Sequence, residues 1–267
     1  MTSSLSEIFK KYAGWCPMAA ARQKQEEDDR QAVPQVRGED AGPVARRAVT
    51  FLRLTYAVVV LAWLVALAAL PYLPETIPVH WNIYGQADGF TGRLAGAFGL
   101  PAIMTLTLFL LIILPRFDRM RVTFDDSRDI YAIVTFATVS LLLGIEITTL
   151  LSSSGMDLPM ATIFPVLLGF FFIVVGGLMP WLRRNTTAGI RLPWTIRSER
   201  VWNETHKHGG PVFVLAGVLI VLASAVAGTW GMPLALGIIA VAVIYVTIWS
   251  YRLSRTLSDE GCPAQDP

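Results

Sequence analysis

The residues of this sequence that could do chemistry are concentrated in two short polar stretches between long apolar runs. One stretch, Gly189–Gly210, carries three arginines, two tryptophans, two glutamates and two of the chain's three histidines. The other, Leu73–Arg93, carries the third histidine and two carboxylates. A further candidate, Glu146, lies within an apolar run. Because imidazole and carboxylate groups bind metals and transfer protons, these are the kinds of chemistry to consider.

The first polar stretch, residues 73–93, is predicted to be a short outer loop. Its prolines favour extended backbone and Asp88-Gly89 is a turn signal, so the loop should be turn-rich rather than helical. Glu75, His80 and Asp88 could converge on a divalent cation. They lack a specific ligand spacing, which favours a hydrogen-bonded histidine instead. Three aromatic residues suit a membrane interface: Trp81, Tyr84 and Phe90.

The second stretch belongs to an inner loop, residues 183–210, that is predicted to contain a helix. Thr195 or Ser198 can cap this helix, which then extends to Lys207 or His208. The run Gly209–Pro211 should end it, because glycine favours a helix C-cap and proline tolerates only the start of the next helix.

The faces of this inner helix leave two functions open. Glu199, Trp202 and His206 share one face, and the other carries two possible salt bridges, Arg200 with Glu204 and Glu204 with His208. The helix could lie at the membrane interface, with arginines on lipid phosphates and tryptophans among the headgroups. It could also bind a dedicated partner or ligand.

A membrane-bound metal enzyme is a weaker alternative. His206 and His208 could bind a metal with Glu199 or Glu204, but residues at i and i+2 leave different sides of a helix. The sequence contains no Gly-x-Ser-x-Gly elbow, phosphate-binding glycine loop or dinucleotide fingerprint. We therefore predict no enzymatic activity, no metal and no cofactor.

The composition identifies the class of protein that holds these stretches. Hydrophobic residues make up 54% of the chain, charged residues only 16%, and the mean hydropathy is +0.52. A soluble domain needs more charge on its surface, so the chain is predicted to be a polytopic membrane protein with the lipid bilayer as its first partner. The net charge of +2 gives no reason to expect direct binding of nucleic acid.

Six apolar segments are each close to the roughly 20 residues that span a bilayer. They must be helices, because lipid offers no partner for backbone amides. The predicted fold is therefore all-α, with six transmembrane helices at Leu52–Tyr72, Leu94–Leu114, Ile130–Ser152, Thr162–Leu182, Pro211–Thr229 and Met232–Tyr251.

Basic residues near these segments predict the orientation. They precede the first span, lie between spans two and three and between four and five, and follow span six, whereas the opposite loops hold only Arg93. Basic residues stay on the cytoplasmic side, so both termini are predicted to be cytoplasmic in a multi-pass plasma-membrane protein.

Three regions are predicted along the chain. Residues 1–50 form a cytoplasmic segment, with an amphipathic helix or frayed tail before a flexible linker. Residues 51–251 form the membrane domain, and residues 252–267 form a cytoplasmic tail.

Glu146 is predicted to lie in the outward half of the third span. A carboxylate is costly there and should face the bundle interior or a water-filled cavity. Two interpretations stay open: a small-molecule or ion transporter that uses Glu146, or a neutral glutamate hydrogen-bonded to a neighbouring helix.

Both polar stretches resemble the SdpI immunity-protein family. The outer loop is similar to the family's N-terminal domain of unknown function through Leu73-Pro74, Ile77-Pro78-Val79-His80, Gly85 and Asp88-Gly89. The inner stretch is similar to the more specific family signature through Gly189-Ile190-Arg191, Pro193-Trp194-Thr195, Ser198-Glu199, Val201-Trp202 and Thr205-His206.

This resemblance implies a six-span protein that protects its cell from a secreted toxic peptide acting on the membrane. In the family's founding system it also implies signalling through a cytoplasmic repressor. The outer loop is then the toxin-facing surface, with His80, Trp81, Asn82, Gly85 and Asp88 as candidates. The inner motif would face the repressor, through Gly189, Arg191, Pro193, Trp194, Thr195, Glu199, Trp202, Thr205 and His206.

Overall fold

The computed structural model of this protein describes residues 43–118 and 127–259. The amphipathic helix predicted near the N-terminus, most of the predicted linker and the end of the predicted tail lie outside these residues. Of the described residues, those within 43–250 form one compact unit, and residues 251–259 belong to a second unit.

The described residues are mostly helical. We number the helices α1 to α7 in chain order, and their bounds are α1 Pro43–Ala69, α2 Arg93–Ile113, α3 Arg128–Ser153, α4 Met160–Leu178, α5 Pro193–Arg197, α6 Glu199–Ala227 and α7 Gly231–Asp259. Short 3-10 turns follow α1, α2, α4 and α6, at Leu70–Tyr72, Leu114–Phe117, Met179–Trp181 and Gly228–Trp230.

Five helical runs in the described residues are long and apolar enough to cross a membrane. They are Arg47–Tyr72, Arg93–Phe117, Arg128–Ser153, Met160–Trp181 and Glu199–Leu257. The predicted multi-pass membrane protein is therefore confirmed. The last run covers 59 residues and contains the two segments predicted as spans five and six.

This last run folds back on itself. Gly228 has a φ of 56°, a left-handed conformation that favours glycine, and it separates α6 from α7. Two residues near the start of α6 are hydrogen-bonded to the second half of α7. Thr205 bonds to Ser250, and His208 bonds to Tyr245. These contacts pair the beginning of one helix with the end of the next, so α6 and α7 are antiparallel.

The helices α4 and α6 approach closely through four glycines. A methyl group on Gly217 would lie 2.5 Å from the Gly169 carbonyl oxygen, and one on Gly210 would lie 2.7 Å from the Gly176 carbonyl oxygen. The two contacts are about two helical turns apart. Gly169 meets Gly217 and Gly176 meets Gly210, so α4 and α6 are antiparallel. We call Gly169, Gly176, Gly210 and Gly217 the glycine seam.

The glycine seam explains why one prediction was wrong. Gly209, Gly210 and Pro211 do not end the inner helix, because α6 continues through them from Glu199 to Ala227. The missing side chain of Gly210 admits the backbone of α4. Tertiary packing therefore outweighs the low helix propensity of these residues.

Helices α1, α2 and α3 form the other part of the bundle. Their core holds two apolar clusters, one around Val59, Ala62, Met104, Leu108 and Val139, and one around Leu73, Ile77, Ala97 and Leu150. Ala62 and Ala66 of α1 are fully buried, as small residues at a helix contact should be.

The outer loop contains a β-hairpin, so the all-α prediction needs correction. Strand β1, Thr76–Trp81, pairs in antiparallel fashion with β2, Ala87–Gly92. Ile77 of β1 is fully buried against Gly96 of α2. A methyl group on Gly96 would lie 2.4 Å from the Cδ1 atom of Ile77. This buried contact between Ile77 and α2 anchors the hairpin on the helical bundle.

We call this end of the bundle the hairpin end, and the opposite one, which carries the inner motif, the motif end.

The glycine seam can be tested with two adjacent glycines of α4. In Gly176→Ala the new methyl group would lie 2.7 Å from the Val214 amide nitrogen, whereas Gly177 has open space around it. We expect Gly176→Ala to destabilise the purified protein by about 1–3 kcal/mol through overpacking. Gly177→Ala should leave the thermal unfolding midpoint in detergent unchanged or slightly raised. Equal midpoints for the two variants would contradict the seam.

Candidate functional site

At the hairpin end, His80 is hydrogen-bonded across the hairpin. Its Nδ1 atom lies 2.5 Å from Oδ1 of Asp88, and both side chains are exposed. The hydrogen-bonded histidine favoured by the sequence is therefore confirmed. Within residues 43–118 and 127–259, no three His, Cys, Asp or Glu side chains are grouped so that they could hold a metal ion.

The tip of the hairpin is shaped by Asn82 and Gly85. The side-chain oxygen of Asn82 accepts the backbone N–H groups of Tyr84 and Gln86, at 2.9 and 3.1 Å. Gly85 has a φ of 77°, and a methyl group there would lie 2.6 Å from the amide nitrogen of Ala161. Only glycine allows the tip to dock this closely on the start of α4.

An apolar groove lies beneath the hairpin tip. It has a volume of about 220 Å³ and is lined by hairpin residues and by the first turns of α4 and α7, among them Trp81, Asn82, Gly85, Met160, Phe164 and Met232. Trp81 packs edge-to-face on Phe164, with ring centroids 5.3 Å apart, and Tyr84 packs on Trp230 at 5.9 Å. Of the three predicted interface aromatics, Phe90 is the most exposed, at 60%.

At the motif end, Trp202 and His206 form a buried stack. Their ring centroids are 4.1 Å apart, and both side chains are almost fully buried. The indole N–H of Trp202 donates to the Leu182 carbonyl oxygen at 2.8 Å. Trp202 therefore does not lie among lipid headgroups, so the predicted tryptophan anchor is wrong at this position.

Both ring nitrogens of His206 are used by the backbone. Nδ1 donates to the Trp202 carbonyl oxygen at 2.9 Å, and Nε2 accepts the Ile190 N–H at 2.9 Å. This pattern requires a neutral imidazole with its proton on Nδ1. No ring nitrogen is left for a metal ion, which removes His206 from the metal-enzyme alternative.

Gly189 is required at this contact for two reasons. Its φ is 109°, and a methyl group on it would lie 2.5 Å from Nε2 of His206 and 3.1 Å from the Trp202 ring. A side chain at residue 189 would therefore strain the backbone and displace the histidine.

The next residues of the motif fold the inner loop onto α6 and α7. Pro193 begins α5, and the Thr195 hydroxyl donates to the Ile190 carbonyl oxygen at 2.7 Å while accepting the Leu192 N–H at 2.9 Å. Ser250 of α7 accepts the indole N–H of Trp194 at 2.9 Å and lies 2.9 Å from the Thr205 hydroxyl. One serine thus joins two motif residues.

The charged members of the motif lie on the surface. Arg191 is exposed and donates to the Thr187 carbonyl oxygen at 3.3 Å, and Glu199 lies 4.0 Å from Arg184. His208 stacks on Trp249, with centroids 4.1 Å apart, and bonds to Tyr245 rather than forming the predicted pair with Glu204. His206 and His208 therefore face different neighbours, as their i,i+2 spacing predicts.

Three anchors of the inner loop were missed by sequence reasoning. The buried Asp118 carboxylate accepts Thr186 N–H, Thr186 hydroxyl and Thr187 hydroxyl bonds at 2.9, 2.8 and 2.5 Å. Ser127 accepts the Arg183 N–H at 2.8 Å. The Asn185 side chain accepts the N–H groups of residues 187 and 188.

Only one of these anchors had a sequence signal. Asn185 bonds to the backbone two residues on, the local pattern typical of asparagine in turns. Asp118 lies 68 residues from Thr186 in the chain, so no local pattern joins them.

Glu146 lies on α3 and is 1% exposed. Neither of its carboxylate oxygens has a hydrogen-bond partner among the described residues. The interpretation as a glutamate hydrogen-bonded to a neighbouring helix is therefore wrong, and the transporter alternative stays a prediction.

Comparisons with known proteins find matches that include both the hairpin and the inner loop. Residues 182–250 match the SdpI/YfhL protein family, and residues 57–105 match a domain of unknown function, DUF1648. The resemblance to the SdpI family is confirmed. The chain is similar to the immunity protein SdpI of Bacillus subtilis strain 168, with 26% identity over 204 residues, which are 75% of this chain and 94% of the relative. No solved structure matches the chain.

The SdpI-family match contains the whole inner motif from Gly189 to His206, and the other match contains the hairpin. Four residues of this motif, Thr195, Trp202, Thr205 and His206, are buried and hydrogen-bonded, whereas Gly189, Arg191, Pro193 and Glu199 are exposed. The hydrogen bonds of His206 and Trp202 join the inner loop to α6.

Trp202 provides a test of this structural role. Trp202→Phe keeps the ring stack but removes the N–H donor to Leu182, which should cost about 1–3 kcal/mol of stability because a buried carbonyl loses its partner. The matched control is Trp181→Phe, since Trp181 is 66% exposed at the same end. Thermal unfolding of both variants in detergent measures the difference. A control variant as unstable as Trp202→Phe would contradict a specific role for Trp202.

Proposed function

We propose that this protein is an integral membrane immunity protein that senses a secreted toxic peptide and gives resistance to it. The observation that carries this proposal is the similarity to an immunity protein over 94% of that relative's length. The geometry supports it, because the protein has one ordered surface at each end and the buried motif residues are occupied with structural hydrogen bonds rather than arranged for turnover.

The proposed topology has six spans and cytoplasmic termini. Support comes from the antiparallel packing of α6 and α7, each 29 residues and therefore about 44 Å long. We propose that the hairpin end faces outward because basic residues gather at the motif end, where Arg116, Arg128, Arg183 and Arg184 lie, while Arg93 lies beside the hairpin.

The proposed toxin-facing surface is the hairpin and the groove beneath its tip. A peptide that acts on membranes carries apolar side chains, and the groove around Trp81 and Phe164 offers an apolar lining for one of them. The exposed pair of His80 and Asp88 lies on the same hairpin and adds polar groups outside the groove.

The proposed signalling surface is the exposed side of the first turns of α6. Arg200, Asn203, Glu204 and Lys207 are exposed there, while Val201, Trp202, Thr205 and His206 on the other side are buried. Because the buried side is hydrogen-bonded to the inner loop, the exposed side is a preorganised surface for a cytoplasmic transcriptional repressor. Lipid phosphate is the competing partner for its basic residues.

Resistance can be tested by deleting the gene, challenging the cells with secreted peptides and restoring the protein with single substitutions. Trp81→Ala should reduce protection at least tenfold in the toxin concentration tolerated, because it removes a wall of the groove. Phe109→Ala, at an exposed aromatic of α2 away from the hairpin, should protect like the wild type. Unchanged sensitivity after deletion would reject the immunity function, and equal effects of both variants would reject the groove.

The signalling surface can be tested by reversing one charge. Arg200→Glu should abolish capture of the repressor at the membrane while the level of membrane-inserted protein stays unchanged. Arg116→Glu makes the same charge change at an exposed residue of the same end and should have no effect. Loss of capture in both variants would indicate general binding of lipid or charge, and loss in neither would reject the surface.

A further inference from the structure

Glu146 lies between the two apolar clusters of the α1–α2–α3 core. Val139 and Leu150 of α3 belong to the two clusters, and Glu146 lies on the same helical face, seven residues after the first and four before the second. Ser153 ends α3, so Glu146 is about 10 Å from the hairpin end of the helix. This position is inside the bundle and within its apolar region.

Glu146 and Thr149 carry buried oxygens without partners. Both carboxylate oxygens and the Thr149 hydroxyl lack hydrogen bonds among the described residues. The neighbouring hydroxyls differ, because Thr148 donates to the Gly144 carbonyl oxygen and Ser153 donates to the Thr149 carbonyl oxygen, each at 2.7 Å. Among these neighbours on α3, Glu146 and Thr149 alone carry buried side-chain oxygens without a partner in the described structure.

No charged side chain from the packed helices can compensate a Glu146 carboxylate. The sequence has no charged residue between Arg53 and Glu75 on the α1 side or between Arg93 and Arg116 on the α2 side, and α4 has none. Other titratable groups of these elements face elsewhere: Tyr56, Tyr72 and His80 are exposed, and Tyr131 donates to the Leu111 carbonyl oxygen. An isolated carboxylate in such surroundings is most readily neutralised by a proton.

We propose that Glu146 is a proton-binding site inside the membrane domain, and that the hydroxyl groups of Thr149 and Ser153 transfer protons between Glu146 and the hairpin end. These residues follow Glu146 at i+3 and i+7, and both are buried, so they form a polar stripe along one face of α3. A proton needs a single carboxylate oxygen, whereas a metal cation needs several oxygen ligands. The site is independent of the proposed immunity function.

Dicyclohexylcarbodiimide tests this site, because it reacts with protonated carboxyl groups in apolar surroundings. The carboxyl O–H adds across one C=N bond to give an O-acylisourea, which rearranges to a stable N-acylurea. In the full-length protein in detergent, peptide mass spectrometry should find the adduct on Glu146 and not on the exposed Glu204. Labelling should fall at least tenfold as the pH is raised from about 6 to about 9. Absence of the adduct, or labelling that does not change with pH, would overturn the proposal.

Matched variants separate the site from a general effect of folding. Glu146→Gln should lose the adduct while the protein elutes as the wild type does on size exclusion, because glutamine has the same shape as a protonated glutamate. Thr149→Val should slow labelling at least threefold, whereas Thr148→Val, one residue away, should not. Equal rates for the two threonine variants would overturn the proposed proton path. Protection of Glu146 by added sodium or potassium ions would overturn the assignment to a proton.

Discussion

A polar group buried in this bundle meets neither water nor any hydrogen-bonding group of the lipid, so it has to find its partner within the protein. The inner loop meets this requirement through the backbone. Trp202 donates to a carbonyl oxygen, His206 bonds to one carbonyl and one amide, and Thr195 bonds to the backbone of two residues, Ile190 and Leu192. Asp118 closes the loop from the far side. A segment of ordinary loop composition thereby becomes a rigid part of the helical bundle, which explains why its aromatic and imidazole groups are not free for chemistry.

Close backbone approach is the second condition for this arrangement. The glycine seam brings α4 and α6 together, and Gly189 brings the inner loop against the Trp202–His206 stack. At each contact a single methyl group would overlap a backbone or ring atom. Packing of this kind is available only to glycine, so the four seam glycines and Gly189 act as contact residues rather than as helix terminators.

The two ends of the bundle are joined by continuous packing. The hairpin is anchored on α2 through Ile77 and docks on the start of α4 through Gly85, while α4 meets α6 along the glycine seam. The inner loop then rests on α6 and α7. Glu146 departs from this scheme, because it is a buried carboxyl group that the bundle leaves without a hydrogen-bond partner among the described residues, and for that reason it is the residue to which we assign a ligand, the proton.

The sequence by itself determined the membrane class, the apolar segments, the location of both polar stretches and the family resemblance, because composition and local spacing encode them. It also determined the different directions of His206 and His208. Only the tertiary structure decided that Gly210 and Pro211 lie inside a helix, that Trp202 is buried, that the outer loop pairs as strands and that Asp118 and Ser250 hold the motif. These features depend on contacts between residues far apart in the chain, and such contacts leave no pattern in the local sequence.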